Sequence, residues 1–431
     1  MYKRLLLILI ILFTVSVSIT CGQTIVTGSF YSQALEEERA YQVYLPEGYD
    51  DGSKRYPVVY FLHGLGLTHM DYFILFTIWR SLINNGTIQP LIIVKPNGYC
   101  EPYSGSWYTN SELYGDFEDY IVYDLITHID TTFRTLATRD KRTLLGHSMG
   151  GFGAMKLGLY HPDIYCGWAS HGGYINPEPD SLIIQEVLDE NGGSGPFYPN
   201  AGDFSYIMFS FAGAVSPDLD NEYFVDLHID DQGNHIDSVW SKWLLHWPAA
   251  IDSLDPLVWD QAIYFDCGTL DETHVYVNNL AFADTLDRRG LEYEFQSFVG
   301  GHNVPSRFNV SLAFLDSVMQ ATTGIDDNDD TVKLPKQSLL RQNFPNPFNP
   351  STTISFEIKG TAHAKQSVRL FIYDIRGRLV RTLIDSELEA GGHMIHWDGR
   401  DNNGQQVSSG IYFYSLRYGD MTCTRKMVMS K

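Results

Sequence analysis

Three side chains far apart in the sequence could do chemistry together: Ser148, Asp271 and His302. Ser148 sits in Gly146-His147-Ser148-Met149-Gly150, between the apolar run Thr143-Leu144-Leu145 and the small-residue, helix-compatible run Gly151 to Leu157. Strand, G-x-S-x-G and helix in that order form the context in which such a serine serves as a nucleophile. A strained turn there lifts the hydroxyl off the sheet. The residues two positions either side must be nearly side-chain-free, because strand and helix backbones almost touch. Gly146 and Gly150 meet that need. The first N–H groups of the following helix then face any negative charge that forms beside Ser148. The bland alternative is a glycine-rich loop holding a chance serine, and the flanking strand and helix weigh against it.

A serine hydroxyl near neutral pH is a feeble nucleophile. It needs a base within hydrogen-bond reach and an acid to orient that base. With this kind of turn the order along the chain is serine, acid, histidine, each on a loop past a strand. His302 follows the last expected strand inside Gly300-Gly301-His302. His171, His246 and His274 do not follow that strand and read as surface or insertion residues. Among acids, Asp271 lies just past its strand, Asp266 lies on the strand itself, and Glu272 is adjacent. Position favours Asp271, although an acid here could instead cap the helix expected at 274–289. Two backbone N–H groups must also face the developing oxyanion. Met149, next to the serine, and Leu65, in the loop His63-Gly64-Leu65, are the expected donors.

The elements that would position these groups alternate. Residues 24–46 read as a hairpin, and 56–62 and 90–96 as buried strands with a helix at 71–84 between them. An amphipathic helix is expected from Asp116 to Phe133, followed by the strand before Ser148. Strands at 164–170, 263–267 and 292–298 and helices at 274–289 and 305–320 complete the rhythm. Strand–helix alternation implies an α/β fold with a mostly parallel sheet covered on both faces. Residues 172–258 break the rhythm with Asp, Pro, Gly and aromatics, and read as an insertion over the C-terminal edge of the sheet, where open α/β folds bind ligands. An acidic linker spans 323–342, and short alternating strands across 343–431 read as a small all-β Ig-like sandwich.

Composition bounds the rest. The 431 residues suffice for two or three domains, and 44% hydrophobic content allows a sizeable core. A net charge of −22 disfavours nucleic acid or an anionic membrane surface as partner. Lys3 and Arg4 followed by an apolar stretch read as a secretory signal over residues 1–22. The stretch is short for a membrane span. Cys21 raises the question of lipidation, but Ser18-Ile19-Thr20 matches a lipidation signal poorly. Cys100, Cys166, Cys267 and Cys423 are too sparse for a disulfide scaffold. No C-x-x-C and no Cys/His cluster of zinc-site spacing occurs, so neither metal nor cofactor is expected.

Taken together, Leu62-His63-Gly64, Ser106-Trp107-Tyr108, Gly146-His147-Ser148-Met149-Gly150-Gly151, Gly268-Thr269-Leu270-Asp271 and Gly301-His302 resemble the esterase D family. That family includes S-formylglutathione hydrolases, feruloyl and acetyl xylan esterases, enterochelin esterases and secreted mycolyltransferases. The resemblance spans about residues 24–320. It implies an α/β-hydrolase fold, the triad Ser148, Asp271 and His302, and Leu65 and Met149 as oxyanion donors. Residues 339–431 resemble a C-terminal sorting domain of the type IX secretion system, on Gln342 to Pro350, Tyr373-Asp374-Ile375-Arg376-Gly377 and Ser409-Gly410-Ile411-Tyr412. This implies export through the periplasm to the cell surface or beyond, with the secretion machinery as a partner. The expectation is a secreted serine ester hydrolase acting on acetyl or feruloyl esters of polysaccharide. Tyr103, Trp107, Tyr108, Trp243 and Trp247 are candidates to stack on sugar or feruloyl rings, with core packing the commoner role for each. An acyltransferase shares the same acyl-enzyme and differs only in acceptor; a non-catalytic surface protein is the third reading.

Overall fold

The computed structural model describes residues 16–20, 23–50, 52–176, 180–247, 258, 260–321, 340, 343, 348–358, 365–374, 378–389, 391–418 and 421–430. The chain divides into two compact units, Met1–Asn328 and Asp329–Lys431. Most of the expected signal, Cys21, the acidic stretch 324–330 and Phe344–Pro347 lie outside the described residues.

The first unit is built on one nine-stranded sheet. Its strands are β1 (Ser16–Thr20), β2 (Gln23–Ser32), β3 (Glu37–Leu45), β4 (Val58–Leu62), β5 (Ile92–Pro96), β8 (Arg142–His147), β9 (Gly167–His171), β10 (Ala262–Gly268) and β11 (Glu294–Phe298). A two-residue ribbon, β6 (Asn110–Ser111) with β7 (Gly115–Asp116), stands apart. The sheet order is β1-β2-β3-β5-β4-β8-β9-β10-β11. The hairpin strands pair antiparallel, and β5 through β11 run parallel. β4 and β8 are buried along their whole length, which explains the unbroken apolar sequence of β4 and the apolar centre of β8. β1 falls inside the expected signal and pairs with β2, so removal of residues 1–22 would leave β2 as the edge.

Helices cover both faces. α1 (Phe73–Asn84) and α9 (Phe308–Ala321) pack on one face with Leu75, Trp79, Leu312 and Leu315 against Val59 and Phe61. The other face carries α2 (Phe117–Asp119), a π-helical turn (Tyr120–Leu125), α3 (Ile126–Thr132), α4 (Met149–Tyr160) and α8 (Val275–Arg289). The expected helix from Asp116 to Phe133 is therefore one helical run with a wider middle turn. The insertion forms α5 (Ser181–Glu190), α6 (Asp203–Val215) and α7 (Asp237–Leu244). Its aromatics pack on α4 and on the loop after β5: Phe211 meets Trp107 at 4.8 Å, and Trp247 meets Phe152 at 5.7 Å.

The second unit has two sheets. β12 (Thr352–Ile358) pairs with β15 (Gly391–Trp397). β13 (Lys365–Asp374), β14 (Leu379–Glu389), β16 (Gly410–Tyr418) and β17 (Met421–Met429) form the other sheet in the order β14-β13-β16-β17. Ile354, Phe356, Leu370, Tyr414 and Met427 fill the core of this unit. β14 and β17 are absent from the sequence expectation; both are edges of their sheet.

Candidate active site

Ser148 ends β8 and begins α4 with φ 58° and ψ −121°, a conformation that side chains resist. The sequence supplies the room for it. A Cβ on Gly146 would collide with the Gly150 carbonyl, and one on Gly150 with the Leu62 carbonyl. The Ser148 N–H donates to the His171 carbonyl at 2.9 Å, which anchors the turn to β9.

His302 and Asp271 arrive on loops that are zipped together by backbone. Thr269 N–H donates to Phe298 O at 2.8 Å, and Leu270 N–H to Gly300 O at 2.9 Å. Side-chain-free Gly268 lets the two loops touch, since a Cβ there would strike Gly300. His302 Nδ1 then donates to Asp271 Oδ2 at 2.9 Å, and its Nε2 faces Ser148 Oγ at 2.9 Å. With the Nδ1 proton held by the carboxylate, Nε2 presents its lone pair to the serine hydroxyl. Asp271 Oδ1 also accepts from Thr273 N–H at 2.9 Å and Thr273 Oγ1 at 2.6 Å. Burial pushes the Asp271 carboxyl up, but His302 and Thr273 outweigh it and hold the group below its ordinary value. Asp271 therefore stays charged at neutral pH. It does not cap α8, whose N-cap residue is His274 with no side-chain cap bond.

The other acids have different partners. Glu272 Oε2 accepts the backbone N–H of His302 at 2.9 Å and so fixes the base's main chain. Asp266 is fully buried, taking His171 Nδ1 at 2.6 Å, Tyr264 OH at 2.7 Å and Arg307 Nε at 2.9 Å. Of the rival histidines, His274 pairs with Glu186 at 3.0 Å. His246 is held down to about 3, first by burial and then by Lys156.

The loop that holds Leu65, one of the two expected oxyanion donors, is also placed by glycine. A Cβ on Gly64 would touch Ser148 Cβ at 3.4 Å, so the 63–65 loop lies directly on the serine. Met149 N–H opens α4, and neither it nor Leu65 N–H bonds another described residue. Both remain available to an oxyanion.

Two further residues, His147 and Tyr72, brace this arrangement. His147 Nε2 donates to the His302 carbonyl at 2.8 Å, and its Nδ1 accepts from Tyr72 OH at 2.7 Å. Burial, with His302 next, brings His147 down to about 3, so it is neutral beside the His302 imidazole. His147 stands within G-x-S-x-G and could have been flagged from its position alone; nothing in the sequence marks Tyr72.

The five aromatics proposed for stacking are all buried. Tyr103 OH donates to Tyr223 O at 2.8 Å, Trp107 Nε1 to Ser210 Oγ at 3.0 Å and Tyr108 OH to His63 O at 3.1 Å. Trp243 Nε1 donates to Ser216 Oγ at 2.8 Å and Trp247 Nε1 to Tyr174 O at 3.3 Å. With faces packed and polar tips satisfied inside the protein, they hold the insertion and the oxyanion loop rather than presenting rings to a ligand.

The parallel sheet, the strained serine turn and the three-residue relay define the class of α/β-hydrolases. A family model described as "Putative esterase" matches residues 32–314, and the chain belongs to this esterase family. A second model, the FlgD Ig-like domain, matches residues 345–420. Esterase Rv1288 of Mycobacterium tuberculosis (strain ATCC 25618 / H37Rv) is 28% identical over 298 residues, covering 66% of this chain and 57% of its own length. The chain thus spans little more than half the length of that relative. An endo-1,4-beta-xylanase/feruloyl esterase of Xylanibacter ruminicola is 32% identical over 161 residues, 35% of this chain and 22% of that protein. Among solved structures, a ferulic acid esterase superposes with a TM-score of 0.50 at 21% identity, over 69% of this chain and 98% of the other, a likeness of fold.

Proposed function

We propose that this protein is a secreted serine carboxylic ester hydrolase that works through an acyl-enzyme on Ser148. The observation that carries the reading is the relay Asp271–His302–Ser148, with both links at 2.9 Å. His302 Nε2 takes the Ser148 proton as Oγ attacks the ester carbonyl. Leu65 and Met149 N–H groups receive the oxyanion, and His302 returns the proton to the departing alcohol. Water then attacks the acyl-enzyme by the same route in reverse. Asp271 stays ionised throughout and stabilises the imidazolium.

For substrate we propose acetyl or feruloyl esters of polysaccharide. An exported enzyme meets such esters, and one relative bears a xylanase/feruloyl esterase name. We further propose that residues 343–431 direct export through a type IX secretion system. The support is the C-terminal motif set and an all-β unit of its own.

A p-nitrophenyl ester should give a burst of p-nitrophenol equal to the enzyme concentration, followed by slower turnover. No turnover would remove the catalytic reading. Acetylated and feruloylated xylan assayed side by side would fix the acyl group. Added alcohol that diverts most acyl groups from water would make the protein a transferase. In a host with the matching secretion system, a chain ending at Asn328 should stay inside the cell and keep its esterase activity; surface delivery of that chain would defeat the sorting proposal.

A further inference from the structure

The insertion contains a cluster that the ester chemistry does not use. Asp180, His228 and His235 bring three donor atoms within 4.8 Å of one another. His228 Nε2 lies 3.2 Å and His235 Nε2 3.1 Å from the same oxygen, Asp180 Oδ2. The sequence hides this group, because Asp180 is 48 residues from His228 and the spacing fits no zinc pattern. The two histidines are held by a tight hairpin. Ile236 N–H donates to His228 O and Asp230 N–H to Asn234 O, both at 2.8 Å, around Gly233 at φ +80°. Asp180 precedes the first turn of α5, where Ile184 N–H donates to its carbonyl at 3.0 Å.

We infer that Asp180, His228 and His235 form a zinc site that staples the hairpin 228–236 to the start of α5. Four observations carry it. First, the spacing fits: ligands bound at ~2.0–2.1 Å with tetrahedral angles stand ~3.3 Å apart, so an ion can enter with only small shifts. Second, the donor set of two imidazole nitrogens and one carboxylate oxygen suits zinc, with a fourth position for water. His235 is 29% exposed and leaves that position and an entry path open to solvent.

Third, the rings are already oriented. Trp243 packs 4.0 Å from the His228 ring and Trp240 4.4 Å from the His235 ring. His228 is buried and its Nδ1 has no partner among the described residues, so its polar interaction is directed wholly into the cluster. Fourth, the field is right. No Lys or Arg occurs between Lys156 and Lys242, while Asp226, Asp230, Asp231 and Asp237 surround the hairpin in sequence.

The test uses the full chain, stripped with chelator and dialysed, then titrated with zinc chloride by calorimetry and by competition with a chromogenic chelator. The site should bind one zinc per chain. At a hundredfold excess over Kd, Tm should rise by about 5 °C. His235→Gln, at the partly exposed ligand, should leave the chain folded and lower affinity at least tenfold. Asp180→Asn should do the same. Turnover of a p-nitrophenyl ester should be unchanged by zinc in the wild type, because none of the three ligands belongs to the relay. Absence of tight zinc in the wild type would reduce the cluster to a hydrogen-bonded trio and overturn the inference. Zinc that inhibits turnover and still binds His235→Gln would sit on His302 and would overturn it equally.

Discussion

Among the described residues the first unit holds two Ser–His–Asp chains, and one of the two has the surroundings of a catalyst. Ser148–His302–Asp271 is matched bond for bond by Ser311–His171–Asp266, with contacts of 2.8 Å and 2.6 Å. Distance therefore does not separate them; surroundings do. Ser311, His171 and Asp266 are fully buried, and Asp266 is also neutralised by Arg307 and bonded by Tyr264. Ser311 rests on α9 with its Oγ near Phe308 O at 3.3 Å. Ser148 instead sits at positive φ, partly open to solvent, with two free N–H groups beside it. The chains also touch, since the His171 carbonyl holds Ser148 N–H. The buried chain serves as the footing of the exposed one. A hydrogen-bonded triad becomes an active site only with access, a strained nucleophile and oxyanion donors.

The largest effect should come from exchanging the two serines for alanine. Ser148→Ala is expected to lower turnover by about 10⁶-fold with Tm preserved. Ser311→Ala should leave turnover within a few fold and cost about 1–2 kcal/mol of stability, read by urea unfolding. Near wild-type turnover in Ser148→Ala would end the mechanism.

The two aspartates give the next contrast. Asp271→Asn should reduce kcat by roughly 10⁴-fold, because the imidazole loses the partner that sets its tautomer. Asp266→Asn should instead destabilise by about 3–5 kcal/mol through the unpaired Arg307 and leave kcat per folded molecule largely intact. A larger kcat loss in a folded Asp266→Asn protein would reverse the assignment.

His147 tests the bracing of the exposed chain. Removing its contact with His302 O by His147→Ala should lower kcat by about 10²-fold, the scale of a 1 Å misplacement, with KM for a small ester little changed. Equal rises in KM would make it a binding residue instead.

The smallest effect is in pH. His63 and His147 are held at about 4 and about 3, first by burial. Unfolded, each takes a proton near pH 6.5. Acidification from there protonates the unfolded chain first and removes up to ~1.4 kcal/mol per pH unit for each imidazole. The contribution of these two rings should thus be constant above pH 7, and Tm should fall from about 6.5 towards 4. Asp271, held low, would lose its contribution only in stronger acid. A level Tm down to pH 4.5 would mean that these rings are not buried in neutral form.

The serine turn and the loop positions of His302 and Asp271 were legible because each depends on local pattern: glycine spacing, and a residue just past an apolar strand. Tyr72, Glu272 and the Ser311–His171–Asp266 chain were not, because each contact joins residues that only the fold brings together. The sequence leaves the five aromatics between core packing and ring platform, because a tryptophan that packs and one that stacks on ligand look alike in sequence; their burial decides for packing. β14 escaped because it is an edge strand that buries little. β14 exposes Asp385, Ser386 and Glu387, and β17 is interrupted by Arg425-Lys426, so the apolar alternation fades. The helices outside the insertion carry stronger patterns and lie within a few residues of their expected bounds, whereas α5, α6 and α7 of the insertion were not expected.

The zipped loops that carry Asp271 and His302 also mark where the protein can be redesigned. Leu270 and Val299 lie in those loops, and their side chains are 69% and 86% exposed. The loops are joined through main-chain atoms, including Leu270 N–H, so the register of acid and base does not depend on what these side chains are. Both positions flank the relay and can be randomised together without touching it. They offer two positions at which the surface beside the relay can be altered, on a scaffold whose alignment of acid and base is written in backbone.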